Sequence, residues 1–403
     1  MDVTFIANDT RGGVEPYLAL AREAVSRGHR VRALAPAEHA PLFTGAGVLF
    51  AGLEGVDRES VSAAARGGVR LREMGRRVAA LAAQWAVTAR DLAAGTDVIV
   101  SGIGGMALAR PVAQAVGATL LRAHLQPLDA SNSAAPGPLG PPLDFAGPLG
   151  HRASHAVTAA ATSLITRAPE QSARRALGLT GRSAAADPTI LYGFSPAVVP
   201  VASDATTRRI ATGYWTLPAS APLSPELVAF VEQPDPVVSI GFGSMVTADA
   251  DALRRLVLSA VRRVGVRAVL LSGWGALAPD AERHDDVMVV DSAAHALLFP
   301  RMSATVHHGG AGTTGAALAA GRPTVVVPFT ADQPFWARRA QQLGVAPSPL
   351  PLRRLTVDGL TEALRSALTD PVMVDRARDL GETLRREHGA RDAVDAIEIV
   401  AGA

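Results

Sequence analysis

Cysteine is absent from the 403 residues, and so is lysine. The first absence excludes disulfides, thiolate metal sites and cysteine nucleophiles. The second leaves arginine as the strong cation, balanced by acidic residues to a formal charge of +2. No dense basic block occurs, and aromatic residues, 4% of the chain, do not interleave with arginine, which speaks against nucleic-acid binding. No run reaches the roughly 18 to 20 apolar residues of a membrane helix. The opening residues Met1 to Asn8 lack both a charged start and a long apolar stretch, so no signal peptide is expected and the location is expected to be cytoplasmic.

What is present suits two cores. Hydrophobic residues make up 48% of the chain, and the length exceeds that of one ordinary domain. Short apolar runs alternate with helical patterns, as in βα units around parallel sheets. Val3–Ala7, Val31–Ala35, Asp97–Val100 and Thr119–Leu121 read as strands, with a helix over Glu15–Arg27. A second series follows Pro236, with strands at Val237–Ile240, Ala268–Leu271, Val287–Val290, Ala304–His307 and Thr324–Val327 and a helix over Ala250–Val264. Pro218, Pro222 and Pro225 mark the boundary. The expected domains are 1–216, 217–385 and a C-terminal helix at 386–403 that packs back on the first. Between Gln126 and Gly150 six prolines fit no regular element, and the apolar residues among them suggest a pocket wall or lid, a structural crossover being the alternative.

The most informative stretch is His307-His308-Gly309-Gly310-Ala311-Gly312-Thr313-Thr314, between a strand and a helix. Its glycines let the backbone approach a ligand, and the free N–H groups of a helix start attract phosphate. The same glycines would also serve tight βα packing. The stretch is neither a P-loop nor a dinucleotide fingerprint. Gly241-Phe242-Gly243-Ser244 ends a neighbouring strand, and Asp332-Gln333 follows a third, where a carboxylate and an amide side by side suit sugar hydroxyls; a helix N-cap is the alternative for Asp332. Asp249-Ala250-Asp251 reads as helix capping rather than as a metal motif.

Together with Ala320-Gly321-Arg322-Pro323, Val327-Pro328 and Asp332-Gln333-Pro334-Phe335-Trp336-Ala337, the His307 stretch resembles the donor-binding motif of the antibiotic and sterol glycosyltransferases. Arg11-Gly12-Gly13-Val14-Glu15-Pro16, Tyr192-Gly193-Phe194-Ser195-Pro196 and Thr212-Gly213-Tyr214-Trp215 extend the likeness over nearly the whole chain. The resemblance implies an α/β fold of the GT-B type, two Rossmann-like domains facing across a cleft. It implies a metal-independent, inverting transfer of a hexose or deoxyhexose from a UDP- or dTDP-sugar to a small acceptor of antibiotic-type secondary metabolism, with no cofactor. It places Ser244, His308, Gly310, Gly312 and Thr313 on the pyrophosphate, Asp332 and Gln333 on the sugar, and Trp274 and His295 by the nucleoside. The protein is expected as a monomer or homodimer. A UDP-sugar epimerase shares the fold, but its carboxylate motifs are not found.

One departure stands out. Members of that family usually carry the catalytic base in the pattern Gly-Ser/Thr-Arg-Gly-Asp-Val-x-Pro, where this chain reads Asp9-Thr10-Arg11-Gly12-Gly13-Val14-Glu15-Pro16. Gly13 cannot take a proton, whereas Asp9 stands where glycine is common. Three readings remain open: Asp9 as a relocated base, an acceptor that needs little deprotonation, or a non-catalytic nucleotide-binding homologue. His124, Asp129 and Phe145, with Asp144, are further candidates for the acceptor region.

Overall fold

The structure is a computed structural model that describes residues 1–55, 71–129, 135–181, 186–219, 221–245, 247, 249–273, 277 and 285–402. The chain forms two compact units, Met1–Leu217 with Glu387–Ala403, and Pro218–Arg386.

In the first unit the order is β1 (Asp2–Ile6), α1 (Arg11–Ser26), β2 (Arg30–Pro36), α2 (Ala40–Phe43), β3 (Leu49–Leu53), α3 (Leu71–Leu92), β4 (Val98–Ser101), α4 (Met106–Val116), β5 (Thr119–His124), α5 (Gly147–Ala176), β6 (Thr189–Tyr192) and β7 (Arg208–Ala211). The strands form one parallel sheet in the order β3-β2-β1-β4-β5-β6-β7. Residues Asp2–Ile6 and Val98–Ser101 are buried throughout, as strands covered on both faces must be. Ile6, Leu34 and Ile99 pack with Trp85 of α3, Val112 of α4 and Ala173 of α5. Pro148 does not break α5 because it occupies the first turn, where no N–H is needed. The helix thus begins inside the proline-rich stretch, and a 3-10 turn at Asp144–Ala146 precedes it.

The second unit runs α6 (Pro225–Val231), β8 (Val237–Gly241), α7 (Ala250–Val264), β9 (Arg267–Leu271), β10 (Val287–Val290), α8 (His295–Leu298), β11 (Ala304–His307), α9 (Ala311–Ala319), β12 (Thr324–Val326), α10 (Gln333–Gln342), α11 (Val357–Thr369) and α12 (Pro371–Arg385). Its five parallel strands take the order β10-β9-β8-β11-β12. One face buries Val238, Ile240 and Val306 against Val257, Val261 and Leu364, and the other buries Phe230, Leu271 and Phe299. Asp249 caps α7, its Oδ1 accepting from the Ala252 N–H at 2.8 Å, and Gly265 ends that helix in the left-handed region. A last helix, α13 (Gly389–Ala401), belongs to the first unit. Among the described residues no helix is long and apolar enough to cross a membrane.

Both units reverse their strand order at one place, between β1 and β4 in the first and between β8 and β11 in the second. Crevices at the carboxyl ends of such strand pairs are where doubly wound sheets bind ligands.

Candidate functional site

In the second unit the turns after β8, β11 and β12 converge. His308 follows β11 and is buried. Gly243 and Gly310 approach its ring so closely that an added Cβ would stand 3.1 Å and 2.5 Å from ring atoms. Gly309, with φ of +87°, turns the chain, and its N–H donates to His307 Nδ1 at 3.0 Å. Gly310 then serves as the N-cap of α9 without any side chain, so the first N–H groups of that helix meet no protein acceptor from the cap. Gly312 and Thr313 occupy the first turn. His308 Nδ1 is buried without a hydrogen-bond partner among the described residues. Burial pushes His308 down to about 4, helped by nearby His295, and pushes His307 to about 3. At neutral pH His308 therefore offers a hydrogen bond rather than a charge. The positive field comes from the helix start.

The β12 turn is held by its own side chains. Asp332 stands at the N-cap position of α10, yet its side chain makes no cap bond; Oδ2 accepts from Trp336 Nε1 at 2.9 Å. Gln333 is buried, and its Oε1 accepts from the N–H groups of Phe329 and Thr330 at 2.8 and 3.1 Å. Its Nε2 donates to Met245 Sδ at 3.2 Å, joining this turn to the one after β8. Ala331, beside Asp332, is held at φ of +54°. Ser244 is half-buried next to Gly243, and His295 stacks on Phe299 with centroids 4.4 Å apart.

In the first unit the strand-order reversal forms a crevice lined by Ala7, Asp9, Tyr17, Gly102, Gly104 and Leu125. Asp9 Oδ1 accepts from the Thr10 N–H at 2.6 Å. Gly13 lies in the first turn of α1, where an added Cβ would stand 2.3 Å from Asp9 Cγ. The Asp9 carboxylate thus fills the space a side chain at position 13 would need. Tyr17 Oη donates to the Ala123 carbonyl at 2.7 Å, and burial raises its phenol far above the ordinary range. His124, at the end of β5, is buried with Nε2 3.4 Å from Asp129 Oδ2.

Residues 241–397 match the family described as erythromycin biosynthesis protein CIII-like, C-terminal domain. A sterol 3-beta-glucosyltransferase of Cryptococcus neoformans is 31% identical over 430 residues, covering 98% of this chain and 27% of that protein. The chain spans between 26% and 30% of the length of several such fungal relatives. Among solved structures, the glycotransferase of kitacinnamycin superposes with a TM-score of 0.70 at 20% identity, over 98% of both chains. The glycosyltransferase VinC in complex with dTDP gives 0.66 at 19% identity over 100% of both. These structures share the two parallel-sheet α/β domains of the GT-B fold. The chain is thus similar in sequence to glycosyltransferases of the UDP-glycosyltransferase-like family and shares their fold.

Of the residues this family resemblance singled out, the structure gathers Ser244, His308, Gly310, Gly312, Thr313, Asp332 and Gln333 around the three turns of the second unit. Gln333 is largely engaged within the protein, and Asp332 is held by Trp336. Trp274 lies outside the described residues. In the first unit Asp9 and Gly13 share one spot, while His124 and Asp129 belong to a separate cluster with Arg122, whose Nη1 donates to Asp129 Oδ1 at 2.9 Å. Phe145 does not join them: it is 87% exposed on the 3-10 turn before α5. The sequence reading missed Trp336 as the residue that aims Asp332, although the i, i+4 spacing was there to find. It also missed Gly104, whose backbone leaves room for Asp9.

Proposed function

We propose that this protein is an inverting glycosyltransferase that moves a hexose or deoxyhexose from a UDP- or dTDP-sugar to a small specialised-metabolite acceptor. The observation that carries the reading is the convergence of three strand-end turns on a buried, unpaired His308 nitrogen at the start of α9. Such a place suits a pyrophosphate: the N–H groups of the helix start and the His308 ring supply donors, and the turn glycines admit the phosphate oxygens. As the bond from the anomeric carbon to the leaving oxygen breaks, negative charge grows on that pyrophosphate. The same preorganised donors stabilise it, in the role a cation plays elsewhere. Asp332, aimed by Trp336, would hold the sugar hydroxyls. Asp9 would take the proton of the acceptor hydroxyl while its oxygen attacks the face opposite the leaving group. The relatives' names speak of sterols and a solved neighbour's of kitacinnamycin, in keeping with a small-molecule acceptor.

Calorimetric titration with UDP and with dTDP tests the reading. Micromolar binding of one nucleotide is expected, weakened at least tenfold in His308→Ala. No binding of either, or equal binding by the variant, would remove its basis.

A further inference from the structure

The first unit holds a second cavity of about 670 Å³ between the end of β5, the start of α4 and the length of α5. This is the volume of a small-molecule site. The cavity is open to solvent at Ser163 and Arg167, and Ile103, Met106 and Leu128 supply apolar lining. Along α5 most of the residues that line it are polar, Thr162, Ser163, Thr166, Arg167, Glu170 and Arg174 among them, with Ala159 as the apolar exception. A helix on a globular unit ordinarily turns its apolar stripe inward. Here the polar stripe lines the cavity, while Leu164 and Ile165 are 82% and 66% exposed.

The charge around the cavity does not balance. Arg110, Arg122, Arg167 and Arg174 face two carboxylates, Asp129 and Glu170. Arg122 is paired with Asp129 at 2.9 Å, yet its Nε is buried without a partner among the described residues. Arg174 is held by Gln114 Oε1 at 2.8 Å and the Gly181 carbonyl at 3.0 Å. Neither Arg110 nor Arg167 has a hydrogen-bond or carboxylate partner among the described residues. Arg110 is half-buried. His124 lies on the same wall, where burial, with Arg122 and Arg110 adding to it, keeps the imidazole uncharged despite Asp129.

We propose that this cavity binds the anionic group of a small molecule, a carboxylate or a phosphate monoester, with Arg110 and Arg167 as its direct ligands and Arg122 Nε as a third donor. Guanidinium forks match the paired oxygens of both groups. Taken with the glycosyltransferase reading, on which this step rests, the acceptor is an acid. The anion site itself does not depend on that reading.

The test uses the intact chain and three probes: 4-hydroxycinnamate, phenyl phosphate and the neutral methyl 4-hydroxycinnamate, with UDP or dTDP titrated into the same samples. At least one anion is expected to bind ten times more tightly than the ester. In Arg110→Met/Arg167→Met that preference should vanish, with ester and nucleotide affinity unchanged. The singly substituted Arg110→Gln and Arg167→Gln chains should each lose part of it. Equal binding of anions and ester, or a preference that survives the double substitution, overturns the proposal. An intact anion preference without nucleotide binding would overturn the glycosyltransferase reading alone.

Discussion

Asp9 and Gly13 cannot be understood one at a time, because the carboxylate of the first occupies the side-chain space of the second. Asp9→Gly should lower turnover, measured as release of nucleoside diphosphate, by about 10²- to 10⁴-fold if the carboxylate is the base. Gly13→Asp alone would crowd two carboxylates into one volume and cost on the order of 1–3 kcal/mol. The exchange Asp9→Gly/Gly13→Asp should relieve the crowding and recover turnover to within tenfold of the parent. Full activity in Asp9→Gly would instead point to an acceptor that needs no base. The buried histidines give a second outcome at this scale. An unfolded imidazole protonates near 6.5, but the folded protein resists until about 4 at His308 and about 3 at His307. Between these values the unfolded state binds more protons, so stability rises with pH there and is lost as pH falls. A tenfold difference in proton affinity between the two states is worth about 1.4 kcal/mol, so His308 alone withdraws on the order of 3 kcal/mol between pH 6.5 and 4. Urea midpoints at pH 7.5 and 4.5 should therefore differ less in His308→Gln than in the parent. The gathering of His308 and its glycines could be read from their order in the chain. The shared space of Asp9 and Gly13 could not, because a helical i, i+4 spacing begins only where the helix does, and Asp9 lies before it.

Elements with strong local signals follow the sequence closely. The helix Ala250–Val264 and the strands Val287–Val290 and Ala304–His307 appear with the expected bounds, since caps and apolar runs fix them locally. The α1 helix instead starts at Arg11, because Gly12 and Gly13 can be helical once tertiary packing favours it. The 30-residue α5 gave little signal: its inward face is polar, so the apolar period that announces a helix is missing. The loop between β12 and α10 shows the converse, local strain imposed by its setting. A non-glycine residue in the left-handed region costs about 1–2 kcal/mol. Ala331→Gly should therefore raise the unfolding free energy of the second unit by up to about 1 kcal/mol, after the greater entropy of unfolded glycine is offset. It should also loosen Asp332 and weaken sugar-nucleotide binding relative to the nucleotide alone. A substitution that leaves both quantities unchanged would mean that Ala331 carries no useful strain.

At the scale of the molecule, the chain builds most of the first unit, completes the second, and returns at Glu387 to finish the first. The return is pinned at once, with Ser195 Oγ donating to Glu387 Oε1 at 2.5 Å. Helix α13 then buries Ala393, Val394, Ala396 and Ile397 in the first unit. Polar contacts flank the apolar ones: Arg27 Nη1 reaches Asp395 Oδ1 at 2.5 Å and Glu398 Oε2 at 3.2 Å, and His29 Nε2 lies 2.7 Å from Glu398 Oε1. These ion pairs are partly exposed, so Arg27→Ala should cost no more than about 1 kcal/mol. The buried side chains weigh more, since Val394 and Ile397 alone contribute roughly 1.5–3 kcal/mol each, a large share of the roughly 5–15 kcal/mol that holds a domain together. A chain ending at Arg386 should lose the first unit's resistance to limited proteolysis while its second unit, whose strand-end turns form the proposed nucleotide site, still binds UDP or dTDP. Protease resistance retained by the shortened first unit would show that α13 is an accessory. Loss of nucleotide binding together with that resistance would show that the second unit depends on the first to stay folded.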